Sequence, residues 1–287
     1  AAPGTGNDSA FRTEMAQRTG PTLIGVGPNG RSLAQNLAER HNVRDFGAFG
    51  DNVERPLSDF YGSLAAAQIE FPAATSLTNL IDGLAINKAL KVVAESAHGR
   101  GVVYVPAGRY RGNTGSLLLP QFCTLEGDGA GQSIIDNQST PVSYPLVANR
   151  DLAGVLFTTV RGISFHGGTV GMDFSAGGEV TGMAFDDISF ALQSEANMKV
   201  GSYLQTSTFY RVGFGGDPFG YTRGLWQTGS IANANTFDDC EFTSHRLEHL
   251  WLNSPENVRI RGGRFEAAGQ PEANITGSIA TTTLTVS

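Results

Sequence analysis

The chain has 287 residues, 37 of them glycine and only 16% charged, with a formal net charge of −7 at neutral pH. That composition suits β-structure with tight corners and excludes long disordered or coiled-coil stretches. The negative charge repels nucleic acid and anionic membrane surfaces, and no run of eighteen apolar residues is present, so neither nucleic-acid binding nor membrane insertion is expected.

In chain order, residues 1–10 are small and polar and predict an extended lead. Leu33 and Leu37 lie four apart among good helix formers, predicting a short helix over residues 31–40 with a narrow apolar stripe. A helix of that length is marginal alone and needs a neighbour, either the end of the next domain or the same helix from another chain. Residues 42–51 predict a strand ending in glycine turns. Residues 52–80, with Phe60-Tyr61 and Phe71-Pro72, interrupt the pattern. A helix follows from Ile81 to Val93, with Asp82 in the N-cap position. Residues 99–110 predict a buried strand closed by a Pro106-Ala-Gly108 turn, and residues 117–119, 123–125 and 134–135 supply the strands of an opening coil.

From Val160 to Phe265 a six-residue pattern returns five times. It reads Val160-Arg-Gly-Ile163-Ser-Phe165, Phe185-Asp-Asp-Ile188-Ser-Phe190, Phe209-Tyr-Arg-Val212-Gly-Phe214, Phe237-Asp-Asp-Cys240-Glu-Phe242 and Ile260-Arg-Gly-Gly263-Arg-Phe265. The final phenylalanines are 25, 24, 28 and 23 residues apart, a repeat architecture. The last apolar pair of each copy is spaced by two, as in a strand with one buried face, but the first apolar residue lies three earlier and would fall on the opposite face of a straight strand. The two residues between must therefore bend the chain. Stacked units of this kind describe an all-β, right-handed parallel β-helix. Cys123 and Cys240 fall at apolar strand positions and read as small core residues, not as a disulfide.

Four motifs in order resemble the amino-terminal signature of the pectate-lyase-like β-helix superfamily: Val43-Arg-Asp-Phe-Gly-Ala-x-Gly-Asp51, Asp82-x-x-Ala-Ile-x-x-Ala-Leu90, Gly101-Val-Val-Tyr-Val-Pro-Ala-Gly-x-Tyr110 and Leu125-x-Gly-x-Gly129. This superfamily includes pectate lyases, polygalacturonases and the tailspike depolymerases of bacteriophages. Residues 20–42, with Leu23-Ile-Gly25 and Gly30-Arg-Ser-Leu33, are similar to the neck that precedes the signature in many tailspikes. The resemblance implies a neck over residues 1–41 and a β-helix domain over 42–287. It also implies a parallel homotrimer, an amino-terminal contact with other phage tail proteins, and a place on the extracellular virion tail; the short helix itself points to Leu33 and Leu37 as a trimer contact. The implied function is attachment to a bacterial surface polysaccharide and its depolymerisation, with no cofactor. A secreted polysaccharide lyase or glycoside hydrolase, and a non-enzymatic tail component or adhesin, are the alternatives.

The sequence departs from the superfamily at the 52–80 insertion, expected to be a surface loop on the capping helix or a contact with a neighbouring subunit or tail protein. It departs again at residues 275–286, which alternate like a strand and stop without a cap, so the domain is expected to continue in the natural protein.

Aligning the coils on their final phenylalanines places Arg161, Asp186, Tyr210, Asp238 and Arg261 in one outward column and Ser164, Ser189, Gly213, Glu241 and Arg264 in another. Asp238 with Arg261, and Glu241 with Arg264, are then expected as exposed ion pairs. Glycoside hydrolysis needs two carboxylates about 5 to 9.5 Å apart, and Asp238, Asp239 and Glu241 are the candidate catalytic groups, with Trp251 as a sugar platform. Arg261, Arg264 and His245 are candidate substrate-binding residues, suited to a uronate. The paired aspartates 186–187 and 238–239 match only one of the polygalacturonase motifs, and both pairs sit at a repeat corner, where aspartate is favoured for turn geometry alone. His245 and His249 lie four apart without a third ligand, so no metal is expected. Gly25-Val-Gly27-x-x-Gly30 lacks the βαβ setting of a dinucleotide site.

Overall fold

The bend demanded by the six-residue pattern falls on its third residue. In the computed structural model, which describes residues 40–266 apart from 97–98, 113–114, 138–142, 152–153 and 217–221, Gly162, Asp187, Arg211, Asp239 and Gly262 all take the left-handed conformation, with φ of 64°, 54°, 51°, 51° and 60°. One left-handed residue turns the chain so that the apolar groups on either side of it face the same interior. At Gly262 the conformation and the space agree, because a Cβ there would lie 2.2 Å from Asp239 Oδ1.

The coils stack as a parallel β-solenoid of about six turns, and every pairing between named strands is parallel and in register across three sheets. The first and largest sheet contains Gly101–Val105, Cys123–Gly127, Thr159–Gly167, Ala184–Ala191 and Thr208–Gly215, and then the split strands Thr236–Asp238 with Glu241–Thr243 and Arg259–Arg261 with Arg264–Glu266. The second sheet runs from Leu117–Leu119 through Val147–Asn149, Val170–Phe174, Ala196–Val200 and Arg223–Gln227 to Leu250–Trp251. The third stacks Val155–Leu156, Glu179–Thr181, Tyr203–Gln205, Ile231–Asn233 and Pro255–Glu256.

Two aromatic columns fill the interior. Phe165, Phe190, Phe214 and Phe242, followed by the half-exposed Phe265, stack in succession with ring centroids 5.7, 5.6, 4.5 and 4.8 Å apart. Phe185, Phe209 and Phe237 do the same at 4.8 and 4.5 Å. Each such pair contributes about 0.5–1.5 kcal/mol beyond the apolar area it buries. At the corner between the third and first sheets the interior turns polar. Asn235 Nδ2 donates to the Leu204 carbonyl and Asn235 Oδ1 accepts from the Ser207 amide, while Thr158 Oγ1 donates to the Pro120 carbonyl. Both side chains are fully buried, and these bonds satisfy backbone groups that a tight corner leaves without ladder partners.

The amino-terminal end is closed by the insertion and two helices, α1 (Leu64–Glu70) and α2 (Ile81–Glu95). Helix α2 buries Leu84, Ala85, Ile86, Ala89, Leu90 and Val93 over the first coil. It is pinned there by Asn87, whose Nδ2 donates to the Ser116 carbonyl and whose Oδ1 accepts from the Leu118 amide. Residues 52–80 pack on this helix, with Leu57 and Phe71 buried and Lys88 paired to Glu70.

Two expectations are corrected here. Leu80, not Asp82, is the N-cap of α2, and it makes no side-chain cap bond. Asp82 turns inward instead, accepting from the amides of Phe49 (2.6 Å) and Arg111 (3.1 Å). Burial raises its pKa while these amides oppose the rise. Residues 43–46 form a 3-10 turn rather than a strand, because Asn42 caps the Arg44 amide and Gly47 ends the turn at φ 101°. The predicted helix over 31–40 and the strand over 275–286 lie outside the described residues, except that Arg40 opens a strand, Arg40–Asn42.

Replacing Phe214, fully buried between Phe190 and Phe242, with alanine should cost about 3–5 kcal/mol, read as a fall in the denaturation midpoint. Cys123 and Cys240 are free and buried, and burial pushes their thiol pKa values up to about 12 and about 11. Neither should react with a maleimide at neutral pH until the protein is unfolded.

Candidate functional site

A coil spreads its residues around three faces, so neighbours in the sequence need not be neighbours on the surface. The first sheet carries the two outward columns as expected: Arg161, Asp186, Tyr210, Asp238 and Arg261 are in register, as are Ser164, Ser189, Gly213, Glu241 and Arg264. Arg261 grips Asp238 with two bonds of 2.7 Å, Nε to Oδ1 and Nη2 to Oδ2. Arg264 pairs with Glu266 within its own strand and not with Glu241. Asp239 lies at the left-handed corner with its carboxylate over Gly262.

Trp251 and His245 stand apart from that surface. Trp251 belongs to the second sheet, and His245 is buried inside the solenoid with 1% of its surface exposed, so its ring does not face a ligand on the outside.

The second sheet has an outward column that the six-residue pattern does not reveal. Asp173, Lys199, Trp226 and Trp251 are successive rungs of it. Trp226 and Trp251 line a cleft of about 330 Å³ with Arg223, Gln227, Thr228, Glu248 and Asn253. Lys199 and Arg223 both lie over the Trp226 ring, with Nζ and Cζ 4.8 and 4.4 Å from its centroid. Arg223 Nε donates to Glu248 Oε2 at 2.7 Å, and Lys199 Nζ to Glu195 Oε1 at 3.0 Å. The Trp251 indole N–H donates to Asn253 Oδ1, and Asn253 is itself held by both the amide oxygen and the backbone carbonyl of the buried Gln227. The cleft is thus an aromatic surface bordered by positioned donors and acceptors, a combination that recognises a ligand with both apolar faces and hydroxyl edges.

No protein-family model matches the chain, and no curated protein does. Solved structures do. The tailspike protein gp49 of Pseudomonas phage LKA1 aligns over 79% of this chain and 54% of its own, at 16% identity and a TM-score of 0.52. The shared fold is the parallel β-helix. Tailspike gp61 of Pseudomonas phage phi297 aligns over 78% of this chain and 49% of its own at 15% identity and a TM-score of 0.44. The A-module of the mannuronan C-5 epimerase AlgE4 of Azotobacter vinelandii aligns over 79% and 70% at 16% identity and 0.41. The chain therefore spans about half the length of both tailspikes.

Behind the cleft, the β-helix interior holds a hydrogen-bond chain whose direction is set by main-chain carbonyls. Gln193 Nε2 donates to the carbonyls of Phe165 and Gly167, and Asn197 Nδ2 to the Gly215 carbonyl and to Gln193 Oε1. Asn197 Oδ1 is left to accept, so His245 Nε2, 2.7 Å away, carries a proton. With His245 neutral, its Nδ1 accepts from His249 Nδ1 at 2.8 Å. A proton added to His245 Nδ1 would then meet the His249 N–H unless His249 moved its own proton to Nε2. Burial lowers both pKa values, that of His245 to about 3 with His249 reinforcing the shift. His249 directly follows Glu248 and precedes Leu250–Trp251, so this chain supports the wall of the cleft.

The sign of the pH dependence follows. Folded-state values below that of a free imidazole, about 6.5, mean that the stability from excluding protons is fully present above pH ~6.5. It is lost as pH falls from there toward about 3 for His245. The slope should reach about 1.4 kcal/mol per pH unit for each excluded proton. Denaturation midpoints measured between neutral and mildly acidic pH should fall, and fall less in His245→Gln.

Proposed function

We propose that this chain is the β-helix portion of a phage tailspike that attaches to a bacterial surface polysaccharide and depolymerises it. The observation that carries the reading is the cleft lined by Trp226 and Trp251 on a rigid outer face, with Arg223, Glu248, Gln227 and Asn253 at its edges. The β-helix shared with the LKA1 tailspike supports the virion-tail setting. A homotrimer, with residues 1–41 toward other tail proteins, belongs to the same proposal.

Carboxylates stand in two places relative to a bound glycan. Glu248 lies in the cleft, and Asp238 and Glu241 lie on the first sheet with Asp239 at the corner between its split strands, beside Arg261 and Arg264, which are paired with Asp238 and Glu266.

Purified protein should bind capsule or lipopolysaccharide from a susceptible host, and Trp251→Ala should weaken that binding about tenfold or more. Glu248→Gln, Asp238→Asn, Asp239→Asn and Glu241→Gln, assayed singly for new reducing ends or for the ultraviolet absorbance of an unsaturated uronate, should single out the acid-base group by a rate loss of about 10² to 10⁴. Full activity in all four would place the chemistry elsewhere. A monomeric mass in solution would favour a secreted enzyme over a tailspike.

A further inference from the structure

We propose that the cleft takes an uncharged stretch of glycan, hexose or N-acetylhexosamine, lying along the solenoid axis across the Trp226 and Trp251 rungs. The inference rests on the polysaccharide reading above and deepens it.

The first argument is charge. The charged residues lining the cleft are Arg223 and Glu248, and they are bonded to each other at 2.7 Å. Lys199, the cation on the preceding rung, is bonded to Glu195 at 3.0 Å. Asp173, one rung further, is held by the amide and hydroxyl of Ser175. A uronate at this surface would have to displace an existing carboxylate partner or leave its own charge uncompensated, in a protein whose net charge is −7. An uncharged sugar meets no such conflict. Its hydroxyls can use the spare N–H groups of Arg223 and Lys199, the Thr228 hydroxyl and the remaining amide positions of Asn253.

The second argument is spacing. Trp226 and Trp251 are paired in register on adjacent rungs, about 4.8 Å apart in the stacking direction. That is close to the advance of one pyranose along an extended glycan, so consecutive sugar units meet consecutive indoles. Asn253 fixes the edge of Trp251, and Lys199 with Arg223 fixes Trp226, which lowers the ordering cost of binding.

The molecule supplies its own reporter, because the chain has two tryptophans and both line this cleft. Intrinsic fluorescence of the full chain should be titrated with neutral oligosaccharides (chitohexaose, and gluco-, galacto- and manno-oligosaccharides) and with oligogalacturonate of equal length, at low and at tenfold higher salt. The expected result is a saturable change with at least one neutral probe, unaltered by salt, and weakened about tenfold or more in Trp251→Ala. A change with oligogalacturonate only, or affinity that falls with salt as an ionic contact requires, overturns the inference and leaves polysaccharide attachment standing. No change with any probe also overturns it. In that case, capsule binding that survives in Trp251→Ala places the glycan on another face, and no capsule binding in the wild type removes the functional reading itself.

Discussion

Everything in this β-helix depends on one backbone state recurring at one place in each coil. A left-handed residue between two short extended stretches lets apolar groups three positions apart face the same interior, and it recurs at Gly162, Asp187, Arg211, Asp239 and Gly262. For residues other than glycine that state costs roughly 1–2 kcal/mol, so three of the five corners are held against their own preference. The parallel ladders on either side and the stacked phenylalanine columns offset the cost, because they form only if every corner bends alike. Asp187 also gains a bond from a segment far away in the sequence: its Oδ2 accepts from the Ala130 amide at 3.0 Å. The second aspartate of each pair thus sits at the corner itself, while the first, Asp186 or Asp238, faces outward and pairs with Arg211 or Arg261.

The same constraint explains why the first sheet was legible in the sequence. Its interior positions must be apolar and its corner residues short, glycine or polar, and the copies keep a fixed internal length, so the register of both outward columns followed from counting. Asp82 departs from the expected cap because tertiary partners decide its place: the part-buried amides of Phe49 and Arg111 need an acceptor, and no local pattern announces that need. Residues 43–46 turn for a local reason, the Asn42 cap and the left-handed Gly47.

The cleft was half visible for a different reason. From Phe165 to Met172 is 7 positions and from Phe190 to Met198 is 8, but from Phe214 to Leu225 is 11. The corner between the first and second sheets therefore varies in length, and an alignment anchored on phenylalanines loses register before it reaches the second sheet. Trp251 stood out as an aromatic beside charged residues, but Trp226, Lys199 and Arg223 were hidden. Aligning instead on Met172, Met198, Leu225 and Leu250 would have brought Lys199, Trp226 and Trp251 into one column. His245 was read as an outward group because it lies among charges in the sequence, whereas Asn197 and His249 draw it inward.

In-register stacking has a consequence for how such a surface changes over generations. Because the strands pair with the coil before and the coil after through parallel ladders, duplicating one complete coil inserts a rung without leaving a main-chain bond unmade, and the aromatic interior continues through it. The outer columns then grow by one residue each. The chemistry of that outer face can then change by single substitutions at positions such as Lys199 or Trp226, or by a whole rung at once, while the left-handed corners remain untouched.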